Sequence, residues 1–142
     1  NVVGNIMYDY KDFLSLGYHF RRDGLNFRSQ RDTLNLEVLT KPLMAVIDYT
    51  MIRDDSISSQ NMISEQAHIS LTWDITDNWK SNISQSRDLR NTNWGNAIHS
   101  AGYLEFKNEC IIIRLEASRK HQNLIDIPDT NEYSISFNLV GF

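Results

Sequence analysis

Hydrophobic and polar residues alternate one by one along most of this chain. The clearest case is the last stretch, where apolar and polar residues take turns over consecutive positions: Tyr133, Ser134, Ile135, Ser136, Phe137, Asn138 and Leu139. Such alternation puts the apolar side chains on one face of a β-strand and the polar side chains on the other. It is typical both of a half-buried soluble sheet and of a membrane β-barrel, so other features of the chain must separate the two.

Nine segments predict strands, and together they predict an all-β fold of antiparallel, up-and-down strands. The segments are 2–10, 13–21, 33–39, 43–52, 65–75, 79–87, 97–106, 110–119 and 132–142. Segment 79–87 has the poorest pattern, because only Trp79 and Ile83 are clearly apolar. No stretch shows the 3.6-residue apolar period of a helix, and the longest apolar runs, 43–47 and 111–113, are too short for a membrane helix.

The predicted connections alternate between short and long. Short turns are predicted at 11–12, 40–42, 76–78 and 107–109, and long polar loops at 22–32, 53–64, 88–96 and 120–131. Outer-membrane barrels have tight periplasmic turns and longer extracellular loops, whereas β-sandwiches mix hairpins and crossovers less regularly. The pattern therefore favours a membrane barrel.

Charged residues follow the polar positions of the predicted strands. We expect six of them to face the lumen, meaning the interior of such a barrel: His19, Arg21, His68, Asp74, Arg114 and Glu116. The apolar positions of the clearest strands are predicted to be free of charge, as lipid requires, because a Lys or Arg at the bilayer midplane costs roughly 2–4 kcal/mol. Aromatic residues such as Tyr10, Trp73 and Trp79 fall near strand ends, where the interfacial girdles of a barrel lie.

The composition narrows the function classes. The chain has 142 residues, a net charge of -4 and a pI near 5.5, so no basic surface for nucleic acid is expected. A mean hydropathy of -0.43 is compatible with a barrel, because barrel strands carry apolar residues only in alternate positions. Residues 1–142 form one predicted domain, and an odd number of strands cannot close with all neighbours antiparallel. We therefore expect part of a larger barrel, with any export signal upstream of Asn1.

Several sequence stretches resemble one family of outer-membrane proteins. Residues 102–119, GYLEFKNECIIIRLEASR, and residues 137–142, FNLVGF, resemble the C-terminus of the lipopolysaccharide-assembly outer-membrane proteins called LptD, or organic solvent tolerance proteins. Upstream, Asn78-Trp79 at the start of a strand and residues 86–89, SRDL, at its end are similar to the same family. The resemblance covers about the last third of the chain.

The resemblance implies a large barrel in the outer membrane of a Gram-negative bacterium that delivers lipopolysaccharide to the outer leaflet. The partners it implies are lipopolysaccharide, a lipoprotein plug, a periplasmic bridge, the barrel-assembly machinery and outer-membrane lipid. It further implies a lateral gate between the first and last strands, one side of which is the closing strand with Tyr133, Ile135, Phe137 and Leu139.

Cys110 is the only cysteine of the chain, so it has no internal disulfide partner. Its residue pattern predicts either a free buried thiol or a thiol whose partner lies outside this chain, at the short-turn rim and pointing towards the lumen. The resemblance adds a role, because many family members form a disulfide from this position to the N-terminal periplasmic domain. Many members carry two adjacent cysteines there, whereas Ile111 follows Cys110 here, so one bridge at most is expected.

No catalytic arrangement stands out, so we predict neither enzymatic activity nor a cofactor. His19 and His68 share the polar positions but lack a nucleophile and a carboxylate at a useful spacing. Two pairs of loop acids, Asp54 with Asp55 and Asp126 with Asp129, are interpreted as solvated residues. A divalent-cation site needs more oxygen ligands at ordered positions.

Two other classes of protein remain open from the residues. An unrelated outer-membrane barrel, such as a porin, an autotransporter or a barrel enzyme of lipase or protease type, would share the strand pattern. A soluble β-sandwich binding module would share the alternation but would fold in buffer without detergent.

Overall fold

The chain forms a single antiparallel β-sheet in a computed structural model that describes residues 2–25, 28–54, 62–90, 96–121 and 129–140. Nine strands lie side by side in chain order: β1 (Val2–Tyr10), β2 (Leu14–Arg22), β3 (Ser29–Thr40), β4 (Leu43–Asp54), β5 (Met62–Asp74), β6 (Trp79–Asp88), β7 (Asn96–Lys107), β8 (Ile111–Lys120) and β9 (Thr130–Leu139). Within the described ranges there is no helix of the length and apolarity that a membrane span requires. The predicted all-β, up-and-down fold is confirmed.

Short and long connections lie at opposite ends of the sheet. The short ones are residues 11–13, 41–42, 75–78 and 108–110, and we call that edge the short-turn end. The longer ones are residues 23–28, 55–61, 89–95 and 121–129, at the long-loop end. In the first short turn Lys11 takes up the left-handed conformation, with a φ of 50°. The predicted alternation of connection lengths is confirmed.

The β2–β3 hairpin is longer than predicted. Arg22 ends β2 and Ser29 already begins β3, so the prediction of a loop over residues 22–32 is wrong at both ends. The polar segment joins the sheet because its charges are paired. Asp32 is 9% exposed and accepts hydrogen bonds from the Tyr18 hydroxyl at 2.8 Å and from the Arg22 guanidinium at 2.6 Å. A buried carboxylate is tolerated when it is paired in this way.

The strand register gives the sheet one apolar and one polar face. Ile47 pairs directly with Leu36 and Ile69, and the next residue of β4, Asp48, pairs with Asn35 and His68. Directly paired residues point to the same side of a sheet, so the period-two pattern of each strand continues across its neighbours.

The sheet has no hydrophobic core of its own. Among the described residues, no hydrophobic side chain is buried, and those of the apolar face remain in the open, for example Ile83 at 72% and Phe137 at 66% exposure. Burial of apolar surface is the main favourable term in folding. A structure built on this sheet therefore needs another apolar phase or partner against the apolar face.

The apolar residues form a belt across the sheet. The belt runs obliquely to the hydrogen-bonded rows, each of which is a series of directly paired residues on successive strands. Starting from Tyr10, the last residue of β1, successive direct pairs lead across all nine strands to Tyr133 on β9: Leu14, Val38, Ala45, Leu71, Ile83, Gly102, Ala117 and Tyr133. Tyr133 lies six residues before the end of β9 at Leu139. The sheet is therefore staggered by about 20 Å, taking roughly 3.3 Å per strand residue.

Candidate functional site

The apolar face carries a belt with aromatic residues at its short-turn end. Trp79 packs against Phe106 with ring centroids 5.0 Å apart, and Tyr10 packs edge-on against Phe13 at 5.3 Å. Strand lengths run from nine residues in β1 to 13 in β5, which covers the span of a tilted membrane strand. This face is the candidate surface for contact with lipid.

Charged residues occur on the apolar face only where it approaches the long-loop end. Arg22 and Asp32 lie there on β2 and β3, Glu65 on β5, and Arg119 on β8, as their pairing with apolar-face residues shows. The predicted absence of charge is therefore right for the middle of the belt and wrong at this border. The strands extend beyond the belt, and charged residues occupy the part that projects.

The polar face carries the six residues predicted to face a lumen. His19, Arg21, His68, Asp74, Arg114 and Glu116 all occupy register positions on this face, although the structure distributes them from β2 to β8. His19 and His68 are three strands apart and do not form a pair. His68 Nδ1 lies 2.9 Å from Ser86 Oγ on β6. These positions do not assemble a catalytic group among the described residues.

A ladder of alternating charges crosses the polar face near the short-turn end. Its members pair directly from β5 to β9: Asp74, Lys80, Glu105, Arg114 and Ser136. Lys80 Nζ lies 3.4 Å from an Asp74 oxygen, and Arg114 Nε donates to Glu105 at 2.8 Å. The ladder contains two ion pairs, one between β5 and β6 and one between β7 and β8, which keep the polar face close to charge balance there.

Arg114 is the centre of this ladder. Its guanidinium also lies 4.4 Å from the centre of the Tyr103 ring and 3.5 Å from Glu116, which accepts a hydrogen bond from Ser134 of β9 at 3.3 Å. The sequence pattern did not single out Glu105 and Tyr103, which lie on β7 opposite Arg114 and Glu116. Aligning predicted strands by their turns would have revealed both pairs, because the short turn at 108–110 fixes the register.

Other polar contacts of this face are hydrogen bonds between neighbouring strands. Asn82 donates to Ser70 at 2.9 Å and to Thr72 at 2.8 Å, and Asn35 donates to Asp48. Asp88, the last residue of β6, accepts a hydrogen bond from the side chain of Arg90 in the following connection, and this contact raises the pKa of Arg90. Uncharged and paired groups of this kind suit a hydrated surface.

Cys110 lies in the turn before β8, one residue outside the strand that was predicted to include it. The turn is fixed by Asn108, whose side-chain oxygen accepts from the Cys110 N–H at 2.9 Å and the Ile111 N–H at 2.8 Å. The thiol is exposed, so the buried-thiol interpretation is wrong. An exposed thiol at the short-turn end is accessible to a partner cysteine.

β9 is an edge of the described sheet, and all ten of its residues are exposed. Tyr133, Ile135, Phe137 and Leu139 share the apolar face, as the alternation predicts. Their backbone pairs with β8 on one side. Residues 141–142 of the predicted closing segment lie outside the described residues, and the strand itself ends at Leu139.

The loop acids do not form a cation site where the structure describes them. Asp129 accepts hydrogen bonds from Arg119, at 2.7 and 3.0 Å, and lies 3.2 Å from His121 Nδ1. Asp55 and Asp126 lie outside the described residues, as does the side chain of Asp54. Over the described ranges no group of three His, Cys, Asp or Glu residues has the geometry of a metal site.

The fold and its two faces define an antiparallel sheet that presents an apolar belt on one side and hydrated polar residues on the other. No protein-family model matches the chain, and no curated protein matches it.

Proposed function

We propose that this chain is the C-terminal part of an outer-membrane β-barrel that exports lipopolysaccharide and inserts it into the outer leaflet. The observation that carries the membrane location is the exposed apolar belt. The described apolar side chains are all at least partly open to solvent, so the sheet lacks the hydrophobic burial that an apolar surrounding would supply. Lipid on one face and a hydrated lumen on the other provide both surroundings that the sheet needs.

The oblique belt supports a barrel in particular. Strands of a closed barrel tilt by about 35–45°, and their register shifts steadily from one strand to the next. The six-residue stagger is of this kind, because the row of direct pairs that starts at the end of β1 meets β9 six residues before that strand ends. In this proposal β1 and β9, the edges of the described sheet, pair with further strands of the same barrel.

The exposure of side chains on the two faces also fits a sheet curved around a lumen. On β5, the apolar-face residues Ile69, Leu71 and Trp73 are exposed, at 42%, 44% and 50%, whereas Ser70 and Thr72 between them are half-buried. Side chains crowd together on the concave side of a curved sheet and spread apart on its convex side. This difference favours a polar interior and an apolar exterior.

The lipopolysaccharide cargo rests on the family resemblance of residues 102–119 and 137–142. In this proposal the polar face lines the lumen beside a lipoprotein plug, and the edge strand β9 is one side of a lateral opening. Lipid delivered from a periplasmic bridge passes from the polar interior to the apolar exterior across that edge. In this proposal Cys110, which is exposed at the short-turn end, forms a disulfide with a periplasmic domain.

Two experiments test the proposal at its two levels. Depleting the full-length protein from its cells should stop newly made lipopolysaccharide from reaching the surface, and a plasmid copy should restore it. Unchanged surface lipopolysaccharide after depletion would exclude the cargo. The membrane location is tested separately, by the alternation of lipid exposure along β5.

A further inference from the structure

Four arginines lie along the long-loop border of the apolar face. They are Arg22 on β2, Arg53 on β4, Arg87 on β6 and Arg119 on β8. Each is the last residue of its strand or the one before it. Each strand that runs towards the long-loop end in the described sheet therefore has an arginine at its last or next-to-last position, and we call these four residues the arginine row.

The register places the arginine row on the apolar face. The direct partners of these arginines hold register positions on the same side of the sheet as the belt. Arg53 is opposite Ile63, and Arg87 lies between Ala67 and Ala97. Arg119 lies between Ser100 and Asn131. Arginine is otherwise excluded from this face. Its position at the border therefore needs a separate explanation.

The arginine row follows the slanted belt and not a hydrogen-bonded row. Direct pairs lead from Arg119 across the sheet to Leu16 on β2, which lies six residues before Arg22. At the opposite end, the row of direct pairs that starts at Tyr10, the last residue of β1, reaches β9 at Tyr133, six residues before that strand ends at Leu139. The two borders are parallel, so the arginines would lie at one level in tilted strands.

The two ends of the apolar face differ in charge. The short-turn border presents aromatic and aliphatic residues such as Tyr10, Trp79, Phe106 and Ile111. The long-loop border presents the arginine row together with the acids Asp32, Glu65 and Asp129. In outer-membrane barrels the longer loops are extracellular, which puts the arginine row at the outer interface.

The guanidinium groups are positioned for an anionic ligand. Arg119 is held by Asp129 at 2.7 Å, yet its side chain remains 55% exposed, and Arg22 is oriented by Asp32 at 2.6 Å. The Nε of Arg53 is shielded from solvent and has no hydrogen-bond partner among the described residues. Guanidinium groups match phosphate oxygens with two parallel hydrogen bonds, and they are weakly hydrated at an interface.

We propose that the arginine row binds anionic lipids of the outer leaflet through their phosphate groups, whose charge no headgroup cation offsets, and thereby fixes the height of the barrel in the membrane. The inference rests on the proposed membrane location, but not on the lipopolysaccharide cargo. Phosphates lie at the boundary between the hydrocarbon and the aqueous phase, which is the level at which the belt gives way to the arginines.

The test compares matched double variants of the full-length protein. Arg53→Gln with Arg87→Gln removes two charges from the arginine row, and Arg21→Gln with Arg31→Gln removes two from the polar face at the same end of the sheet. Each protein is inserted into vesicles of equal parts phosphatidylcholine and phosphatidylglycerol. Electron paramagnetic resonance of spin-labelled lipids then gives the preference for the anionic over the zwitterionic lipid. Far-UV circular dichroism confirms insertion in each case.

We expect the row variant to lose about fivefold in anionic-lipid preference for each arginine removed, since an arginine near an anionic surface contributes about 1 kcal/mol. The polar-face variant should keep the preference of the unaltered protein. Equal losses in both variants, or none in either, would overturn the arginine row as a phosphate site. Failure of the unaltered protein to insert would overturn it together with the membrane location.

Discussion

Ile47 and Val46 are neighbouring aliphatic residues of β4 that point to opposite faces of the sheet. Ile47 lies in the belt, pairs with Leu36 and Ile69, and is 38% exposed. Val46 is half-buried on the polar face, opposite Glu37. Replacing each in turn by arginine makes the same chemical change at the same depth, so the two variants differ mainly in the surrounding that receives the charge.

The membrane account predicts that Ile47→Arg destabilises the protein by roughly 2–4 kcal/mol, the penalty of an arginine near the middle of a bilayer. It predicts a far smaller effect of Val46→Arg, because a lumen is hydrated and Glu37 lies opposite the new charge. In water the order would be reversed, since Val46 is the more buried of the two residues.

The measurement is chemical unfolding of the full-length protein in phospholipid vesicles, followed by tryptophan fluorescence. Unaltered protein and the conservative variants Ile47→Val and Val46→Ala serve as controls for packing. If Val46→Arg lowers the free energy of unfolding as much as Ile47→Arg or more, the belt does not face lipid and the reasoning fails.

Other predictions concern single contacts. Arg114→Gln should speed amide hydrogen exchange between β7 and β8, because it removes the ion pair with Glu105; the loss should be less than about 1 kcal/mol because the guanidinium is partly exposed. Tyr103→Leu, which removes the cation–π contact at 4.4 Å, should have a smaller effect in the same direction. Gly4→Ala should destabilise the β1–β2 hairpin by about 1 kcal/mol, because a Cβ there would lie 2.1 Å from the Phe20 ring. Chemical unfolding measures this loss, and the double variant Gly4→Ala with Phe20→Leu should regain it. Cys110 of the isolated chain should react directly with a polar maleimide, whereas in full-length protein from cells labelling should require prior reduction; labelling without reductant would exclude the disulfide.

Period-two alternation was sufficient to predict the strands, because every strand of this sheet separates an apolar from a polar surrounding. β6 had the poorest pattern for a physical reason. The stagger carries its second half beyond the belt, so Gln85 and Arg87 take apolar-face positions, and Gln85 Nε2 donates to Ser100 Oγ at 3.1 Å. Short-range patterns do not contain the stagger, which depends on the register of all nine strands.

The extended β2–β3 hairpin was missed for a different reason. Residues 22–32 are rich in charge, which is typical of a loop, and only the pairing of Arg22 with Asp32 across the hairpin makes them compatible with a sheet. The polar ladder around Arg114 was predicted in part. Its residues could be placed on the polar face from parity, but their partners on β7 required the register.

In the proposed membrane location, the apolar face of the sheet meets lipid and the polar face meets water. Nitroxide labels at consecutive positions 67–73 of β5, in full-length protein inserted into phospholipid vesicles, measure it most directly. Labels at Ala67, Ile69, Leu71 and Trp73 should collide mainly with dissolved oxygen, and those at His68, Ser70 and Thr72 mainly with a water-soluble nickel chelate. A period of two in this contrast is the predicted result; equal access of the nickel chelate to both sets of positions would contradict the account.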